Sequence, residues 1–468
     1  MKVRTRFAPS PTGFLHVGGV RTALFAWLVA KHSDGEFLLR IEDTDRSRHV
    51  AEAEQHIMDS LDWLGLHWDE TPVRQSERLD IYNEWAQKLI EQGRAYADPS
   101  TEEQLNEMRQ AAKTAKKPFL FREFRPADPP QWKEGIALRF KSDPKPYQWH
   151  DEVMGDLDSG PKAIDDFIII KSDGFPTYNF AHIIDDHLMQ ISHVIRSQEF
   201  LPSVPKFLNL YEALDTERPK LATLPYVLGP DGKKKLSKRD GAKDILDYQR
   251  GGYLPEALIS FLATLGWNDG TEQEIFTIDE LIKKFSLSRV HHSGARFDEQ
   301  RLEWVDGHFI RETPLDKLYE LAEPFWPAEA ASYDEPYKKQ VLGLVQERLK
   351  HLGELAELTV FFFKDLPANI DLIIQDKQLK KFSKEELESW LRQSRDVIES
   401  SDFSHSDLSE KLNSLLGSTG QKPGVIFSLI RVATTWAPAS PELVDSLRAL
   451  GKDKTLARLD QAIQILEK

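Results

Sequence analysis

The sequence predicts an α/β chain of several parts: a doubly wound domain split by an insertion, a mixed connector, and an all-helical C-terminal region. Three observations predict it. Strand-like apolar runs alternate with amphipathic helical segments over residues 1–98 and again over 164–225. Residues 99–163 lose that alternation and carry prolines, short aromatic pieces and a basic stretch, which reads as an inserted α+β subdomain. From 315 to 468 only helical periodicity remains, after a mixed connector over 226–314. A chain of 468 residues has room for roughly two to four such domains.

The elements follow in order. A strand near 3–8 runs into the loop PSPTGFLHVGG, and a helix follows over 17–32. Gly35 turns the chain into the apolar run FLLRI, and the acidic turn EDTD leads to the amphipathic segment AEAEQHIMDSLDWLGL. A helix over 77–93 is closed by Gly93. After the insertion, the α/β pattern is expected to resume with a buried strand from Ile164 to Ile170, a helix over 177–188, a strand over 191–196 and a helix over 202–212. LPYVLGPDGKKKLSKRDG has hairpin character, and LPEALISFLATLGW places proline in the first turn of an apolar helix. Turns at Pro327-Ala328, Pro367 and GSTGQKPG divide the helical region, with a split near 370.

Composition narrows the function classes. Hydrophobic content of 40% and charged content of 29% are those of a soluble globular protein. No window approaches the roughly 18 apolar residues of a membrane span, and the N-terminus has no signal-type apolar core. A cytoplasmic location is expected. Cysteine is absent, which removes disulfides and thiolate metal sites, and the 14 histidines show no HExxH-type spacing. No metal site is expected. The net charge of −15 comes from 61 basic and 76 acidic residues; it favours solubility and leaves local basic patches open.

Two loops carry chemistry. In PSPTGFLHVGG, Gly18 and Gly19 let a ligand approach the backbone at a helix N-terminus, where free N–H groups suit phosphate, and His16 can donate to a phosphate oxygen. The same residues also fit a rigid connection in which His16 caps the helix. In Lys233-Lys234-Lys235-Leu236-Ser237-Lys238-Arg239, five cations stand in seven residues between GPDG and RDGAKD. A glycine-flanked loop of this kind can bring ammonium groups onto a polyphosphate, and equally can be a solvated surface turn.

Taken together, PSPTGFLHVGG and KLSKR resemble the two signatures, HIGH and KMSKS, of class I aminoacyl-tRNA synthetases. RIEDTDRSR, SDGFPTYNFAHIIDDHLMQISHVIRSQEF and LPYVLGPDGKK are similar to the glutamyl branch, bacterial type. The resemblance is strong over 1–310 and continues to the end, as in IFSLIRVATTWAPASPELVDSLRALGKDKTLARL. It implies a Rossmann-type catalytic domain, an insertion that binds the tRNA acceptor end, a stem-contacting connector and a helical anticodon-binding part. It implies ATP-dependent activation of L-glutamate to glutamyl-adenylate, with Mg²⁺, on an enzyme that needs bound tRNA for efficient activation. Transfer to the 3′ end of tRNA-Glu follows, with tRNA-Gln as a second acceptor in some members. A monomer with no membrane partner is expected.

By position, the resemblance assigns the glutamate pocket to Arg6, Ala8, Ser10, Glu42, Tyr178, His182 and Arg196, with Arg196 on the side-chain carboxylate. It assigns ATP to His16, Gly18, Gly19, Glu199, Ser237 and Lys238, and the catalytic cations to His16, Lys235 and Lys238. No protein nucleophile is needed, because the substrate carboxylate attacks. Lys113, Lys116, Lys117, Arg122 and Arg125, interleaved with Phe119, Phe121 and Phe124, are candidates for the CCA end. Arg348, Lys350 and Arg431, with Lys422, are candidates for tRNA in the helical part.

Three departures stand out. Gly19 replaces the last histidine of the first signature. Some relatives hold zinc between segments near Tyr96–Ser100 and Phe121–Arg125, and with no cysteine here no structural zinc is expected. Trp436 stands where glycine is expected. The alternatives are a glutaminyl-type relative, expected to end in β-barrels; a shorter paralogue glutamylating a modified tRNA base; a nucleotidyltransferase for a small metabolite; and a catalytically inactive tRNA-binding paralogue, which intact His16, Lys235, Lys238, Glu42 and Arg196 oppose.

Overall fold

The structure is a computed structural model that describes residues 2–236 and 243–467. Ser237 and Lys238 therefore lie outside the described residues. The first elements are β1 (Arg4–Phe7), α1 (Val17–His32), β2 (Glu36–Ile41), α2 (Ala53–Trp63), β3 (Val73–Arg74), α3 (Leu79–Glu91), β4 (Ala95–Asp98), α4 (Glu102–Thr114), β5 (Ala137–Phe140), β6 (Tyr147–Asp151), β7 (Gly155–Ser159) and β8 (Phe167–Ile170). Then come α5 (Tyr178–Leu188), β9 (His193–Ser197), α6 (Val204–Ala213), β10 (Lys220–Leu224), β11 (Val227–Leu228), α7 (Ile245–Arg250), α8 (Pro255–Ala263), α9 (Ile278–Lys284), β12 (Ala295–Arg296) and α10 (Glu299–Glu312). The chain forms two compact units, Met1–Tyr248 with Leu258–Glu299, and Gln249–Ala257 with Gln300–Lys468.

In the first unit, β1, β2 and β3 form a parallel sheet in that order. A second sheet runs β7-β6-β10-β9, with β10 parallel to both β9 and β6. The two sheets meet at β1 and β9: Ser192 N–H donates to Arg4 O (2.9 Å) and Arg4 N–H to Ser192 Oγ (2.8 Å). β1 thus has β2 on one side and β9 on the other. This is the reversal of strand order beyond whose carboxyl ends ligands bind in open α/β sheets. Helix α1 is buried along nearly all its length, from Val17 to Ala30, as its continuous apolar run requires. At Gly35 a Cβ would come within 2.3 Å of Val3 O, so only glycine allows this turn into β2.

Two expectations change here. The strand near 164–170 spans Phe167–Ile170 and pairs antiparallel with β5 in a sheet ordered β4-β5-β8, instead of resuming the parallel sheet. Conversely β6, inside the stretch read as insertion, pairs with β10 of the mostly parallel sheet. An apolar run marks a strand as buried but carries no information about which edge it joins.

The second unit continues with α11 (Leu315–Ala322), α12 (Glu335–Val345), α13 (Leu355–Phe363), α14 (Asp371–Ile374), α15 (Lys384–Glu399), α16 (His405–Thr419), α17 (Pro423–Thr435), α18 (Leu443–Leu450) and α19 (Lys452–Leu466). Its described residues contain no strand. One core gathers Leu387, Leu391, Leu412, Ile426, Leu429, Leu459 and Ile463, and another Phe361, Phe362, Val341 and Leu450. Ser383 and Glu386 form a capping box that starts α15. Trp436 closes α17 with φ +48°, the left-handed conformation that glycine would take there, and its ring is buried. The turn is kept and tryptophan bears the strain.

Candidate active site

The first signature is built by a loop tied at both ends. Glu42 N–H donates to Pro9 O (2.9 Å) and Val50 N–H to Pro11 O (3.0 Å), so the prolines dock on the segment after β2. His16 is the N-cap of α1: its Nδ1 accepts from Gly18 N–H at 3.1 Å. A neutral ring arranged this way carries its proton on Nε2. A Cβ at Gly18 would stand 3.1 Å from His16 Cε1, and one at Gly19 would stand 2.7 Å from Leu15 Cδ1. At Gly19, then, the missing Cβ serves the packing of the loop itself.

The second signature is carried by a hairpin. Gly229 N–H donates to Lys234 O and Leu236 N–H to Val227 O, both at 2.9 Å. The chain returns at Asp244, which bridges to His16, while Ile245 N–H donates to Leu15 O (3.0 Å). His56 adds a second tie: Nδ1 accepts from Leu15 N–H (3.3 Å), and Nε2 faces Asp244 Oδ1 (3.3 Å). The residues flanking the basic loop are thus held to the first loop.

Between the two lies a cavity of about 680 Å³. Arg6, Ala8, Ser10, Glu42, Tyr178 and Arg196 line it, as do His16, Gly18, Gly19, Glu199 and Lys235. His182 is not on its wall. It lies beneath, with its ring stacked on Tyr178 at 4.6 Å and its Nδ1–H donating to Tyr178 O (2.7 Å). Burial pushes its imidazole down to about 3, so it is neutral, and burial lifts the Tyr178 phenol to about 12. Lys235 Nζ pairs with Glu199 Oε2 at 2.8 Å, both side chains nearly half exposed.

Beneath the amino-terminal half of the cavity is a buried ionic cluster. Asp186 accepts from Arg6 Nε (2.9 Å) and Nη2 (3.2 Å) and from Arg40 Nη1 (2.7 Å). Arg40 Nη2 donates to Glu42 Oε1 at 2.9 Å. Asp185 accepts from Gln75 Nε2 (2.8 Å), Tyr82 OH (2.8 Å) and Arg78 Nε (2.9 Å). Although burial opposes ionisation, Arg6 and Arg40 hold the Asp186 carboxyl far below the usual carboxylate range. Burial pushes the Glu42 carboxyl up, against the pull of Arg40. Three cations (Arg6, Arg40, Arg78) face three anions (Glu42, Asp185, Asp186), so the cluster is neutral.

Arg196 differs from these arginines. It is 7% exposed, and its Nη1 has no hydrogen-bond partner among the described residues. Its guanidinium lies 4.9 Å from the Phe207 ring centre and 5.8 Å from that of Phe200. A buried cation with an unused donor on a cavity wall can donate to an acceptor that enters the cavity.

The cations proposed for RNA separate into two groups. Arg125 is bidentate to buried Asp166 (both contacts 2.7 Å), which also accepts from Ser142 and Tyr96, and Arg122 donates to Ile164 O. Phe121 is buried under the Arg139 guanidinium, 3.5 Å away, and Arg139 pairs with Asp98 (2.6 Å). These residues hold the insertion together, around the segments where relatives were expected to carry zinc. Lys113, Lys116 and Lys117 are exposed, beside the stacked Phe119 and Phe124 rings (5.6 Å). In the second unit Arg348 and Lys422 are exposed and Lys350 pairs with Glu303 (2.8 Å). Arg431 lies partly buried, 4.0 Å from Asp376.

Sequence reasoning missed Arg40, Asp185, Asp186 and Arg21 at this site. The first three had a signal: arginine inside the apolar strand FLLRI, and two acids directly after a pair of isoleucines in HIIDDH, are charges that must find one another once buried. Arg21 carries no such signal, since one arginine in a helical segment is ordinary.

Residues 2–304 match the family described as tRNA synthetases class I (E and Q), catalytic domain, and residues 317–463 match an anticodon binding domain. The chain is 40% identical over 479 residues to glutamate–tRNA ligase 1 of Caldanaerobacter subterraneus subsp. tengcongensis, covering 100% of this chain and 98% of that one. It is 40% identical over 478 residues to the glutamate–tRNA ligase of a Dehalococcoides mccartyi strain, covering 99% and 97%. A crystal structure of a glutamate tRNA ligase from Elizabethkingia meningosepticum in complex with its amino acid superposes with a TM-score of 0.88 at 32% identity, covering 100% of both chains. With this catalytic architecture, a helical C-terminal part and full-length similarity to these enzymes, the chain belongs to the glutamate–tRNA ligase group of the class I tRNA synthetase family.

Proposed function

We propose that this chain joins L-glutamate to tRNA-Glu in two steps at the cavity between the two signatures. The observation that carries the reading is Arg196, buried and, among the described residues, with an unpartnered Nη1 on the wall, beside a neutral ionic cluster that pairs Arg6 and Arg40 with Asp186. A glutamate side-chain carboxylate supplies the missing anion, and glutamine does not. Glu42 faces the substrate ammonium; Ala8, Ser10, Tyr178 and Arg6 line the pocket; His182 supports Tyr178 from below.

In the first step an oxygen of the substrate α-carboxylate attacks the α-phosphorus of ATP, the bond to the β-phosphate oxygen breaks, and diphosphate leaves. His16, through Nε2–H, and Lys235 stabilise the charge that develops, with Lys238 added from the family pattern. Lys235 must leave Glu199 to do so, a small cost for an exposed pair. Glu199 then serves the ribose. In the second step the 3′-terminal hydroxyl of tRNA attacks the activated carbonyl and AMP leaves. Mg²⁺ accompanies ATP, and the enzyme acts as a cytoplasmic monomer. The lysines near Phe119 and Phe124 contact the acceptor end; the helical unit reads the anticodon.

The test is aminoacylation of purified tRNA-Glu and tRNA-Gln with labelled glutamate and labelled glutamine. Glutamate transfer to tRNA-Glu supports the reading, and transfer to tRNA-Gln as well extends it. Glutamine transfer, or none, overturns it.

A further inference from the structure

Among the described residues, two buried arginines on the cavity wall have an Nη1 without an acceptor, and the amino acid accounts for only one of them. The other is Arg21. We propose that Arg21 binds the nucleotide, donating from Nη1 to a ring nitrogen of the adenine base; this rests on the reading of ATP as substrate.

Arg21 is 1% exposed, and among the described residues it has no carboxylate within 4.0 Å. Its Nη2 donates to Pro225 O at 2.9 Å, and its guanidinium lies 5.3 Å from the Phe25 ring centre. Burial pushes its pKa down to about 10, which registers the cost of keeping a cation there uncompensated. A buried donor without a partner is a rare, costly state in a folded protein, and one facing a cavity is satisfied by what fills it.

Position selects the nucleotide. Arg21 stands one turn into α1, the helix whose first turn and cap (His16, Gly18, Gly19) form the phosphate end of the cavity. Helical side chains lean toward the N-terminus, which aims the guanidinium back at that end. The Pro225 contact fixes it at the point where β10 passes into the hairpin of the second signature. The amino-acid side is built by other elements, at Arg6, Glu42 and Arg196.

Chemistry selects the base over the phosphates. Pro225, which Arg21 holds, lies in a stretch of wall made by Leu224, Pro225, Tyr226, Val227 and Leu236, a largely apolar surface suited to a flat ring. The phosphates have wetter donors in His16 and in Lys235, whose side chain is 44% exposed. Adenine offers lone pairs at unprotonated ring nitrogens, which a fixed, desolvated N–H can read.

The experiment compares wild type, Arg21→Met and Arg21→Lys in tRNA-dependent ATP–pyrophosphate exchange, using ATP and its 1-deaza, 3-deaza and 7-deaza analogues. Methionine keeps the apolar stem; lysine keeps the charge and a donor for Pro225 O, guarding against a folding failure. The expected result is a roughly 10- to 100-fold rise in KM for ATP in both variants, the worth of one charge-assisted hydrogen bond. KM for glutamate should stay within about twofold. One deaza analogue should lose the same factor with wild type and lose nothing further in the variants. Additive losses for all three analogues in an active wild type overturn the Arg21 assignment alone. A raised KM for pyrophosphate in the reverse direction overturns it in favour of a phosphate contact, and an equal rise in every KM with a lowered unfolding temperature overturns it in favour of packing. Absence of exchange by the wild type overturns the ligase reading and the assignment together.

Discussion

On the proposed reading, replacing Arg196 by glutamine removes the receptor for the substrate carboxylate while keeping most of the side-chain volume. The magnitude follows from its surroundings. Arg196 is 7% exposed, packed against Phe207 and Phe200, with an unused Nη1. A bidentate pair in such a site makes two charge-assisted hydrogen bonds at about 1.5–3 kcal/mol each. Their loss totals about 3–6 kcal/mol, or roughly 10²- to 10⁴-fold in kcat/KM at about 1.36 kcal/mol per decade. The neutral cluster below contributes no spare cation to compensate. Glutamine never had the ionic contact, so its kcat/KM should change by less than about tenfold and the preference for the acid should collapse. Arg196→Lys keeps the charge without the planar fork and should fall between. The assay is ATP–pyrophosphate exchange with tRNA-Glu present, varying glutamate and glutamine separately. A loss below tenfold for glutamate, or proportional losses for both amino acids, would refute the pairing.

Four further outcomes are expected. Burial lifts the Asp306 carboxyl to about 8, opposed by the Leu254 N–H bond at 2.8 Å. With its folded value above its unfolded one, the stability it contributes is full below about pH 4 and is lost as pH rises through 8; Asp306→Asn should therefore gain on wild type in denaturant unfolding across that window, and a pH-independent difference would contradict this. Asp166→Ala leaves Arg125 without its partner and should destabilise the insertion by about 3–5 kcal/mol, read as faster proteolysis within residues 99–163; an unchanged cleavage rate would contradict it. Trp436→Gly relieves about 1–3 kcal/mol of backbone strain but forfeits about 3–5 kcal/mol of burial, so calorimetry of the chain should show net loss of stability. Lys238→Ala should slow adenylate formation far more than it weakens tRNA binding in a filter assay; equal losses would remove Lys238 from the chemistry.

Local signals were readable where one segment decides its own structure. The helix after PSPTGFLHVGG runs Val17–His32, as its cap and apolar run require, and the hairpin before KLSKR forms on its own glycines. Partner choice was less legible. Phe167–Ile170 looked like a parallel strand because its apolar face is the same in either sheet. Arg125 looked like an RNA contact because Asp166 is 41 residues away in sequence. Arg196 was legible through its motif, yet the reason it is unpaired lies in Asp185 and Asp186, which satisfy its neighbours. Arg21 showed nothing in sequence, since its meaning comes from a carbonyl more than two hundred positions on.

The balanced cluster under the pocket has a consequence for re-targeting the enzyme to another amino acid. Its members form a set with even parity: any substitution that changes one charge leaves an odd one stranded in the interior, at a cost of about 3–5 kcal/mol. Variants one substitution away are therefore poor starting points, however well they suit the new side chain. Productive routes step in pairs, Arg6 with Asp186 for example, so that the floor stays neutral while the wall at Arg196 changes.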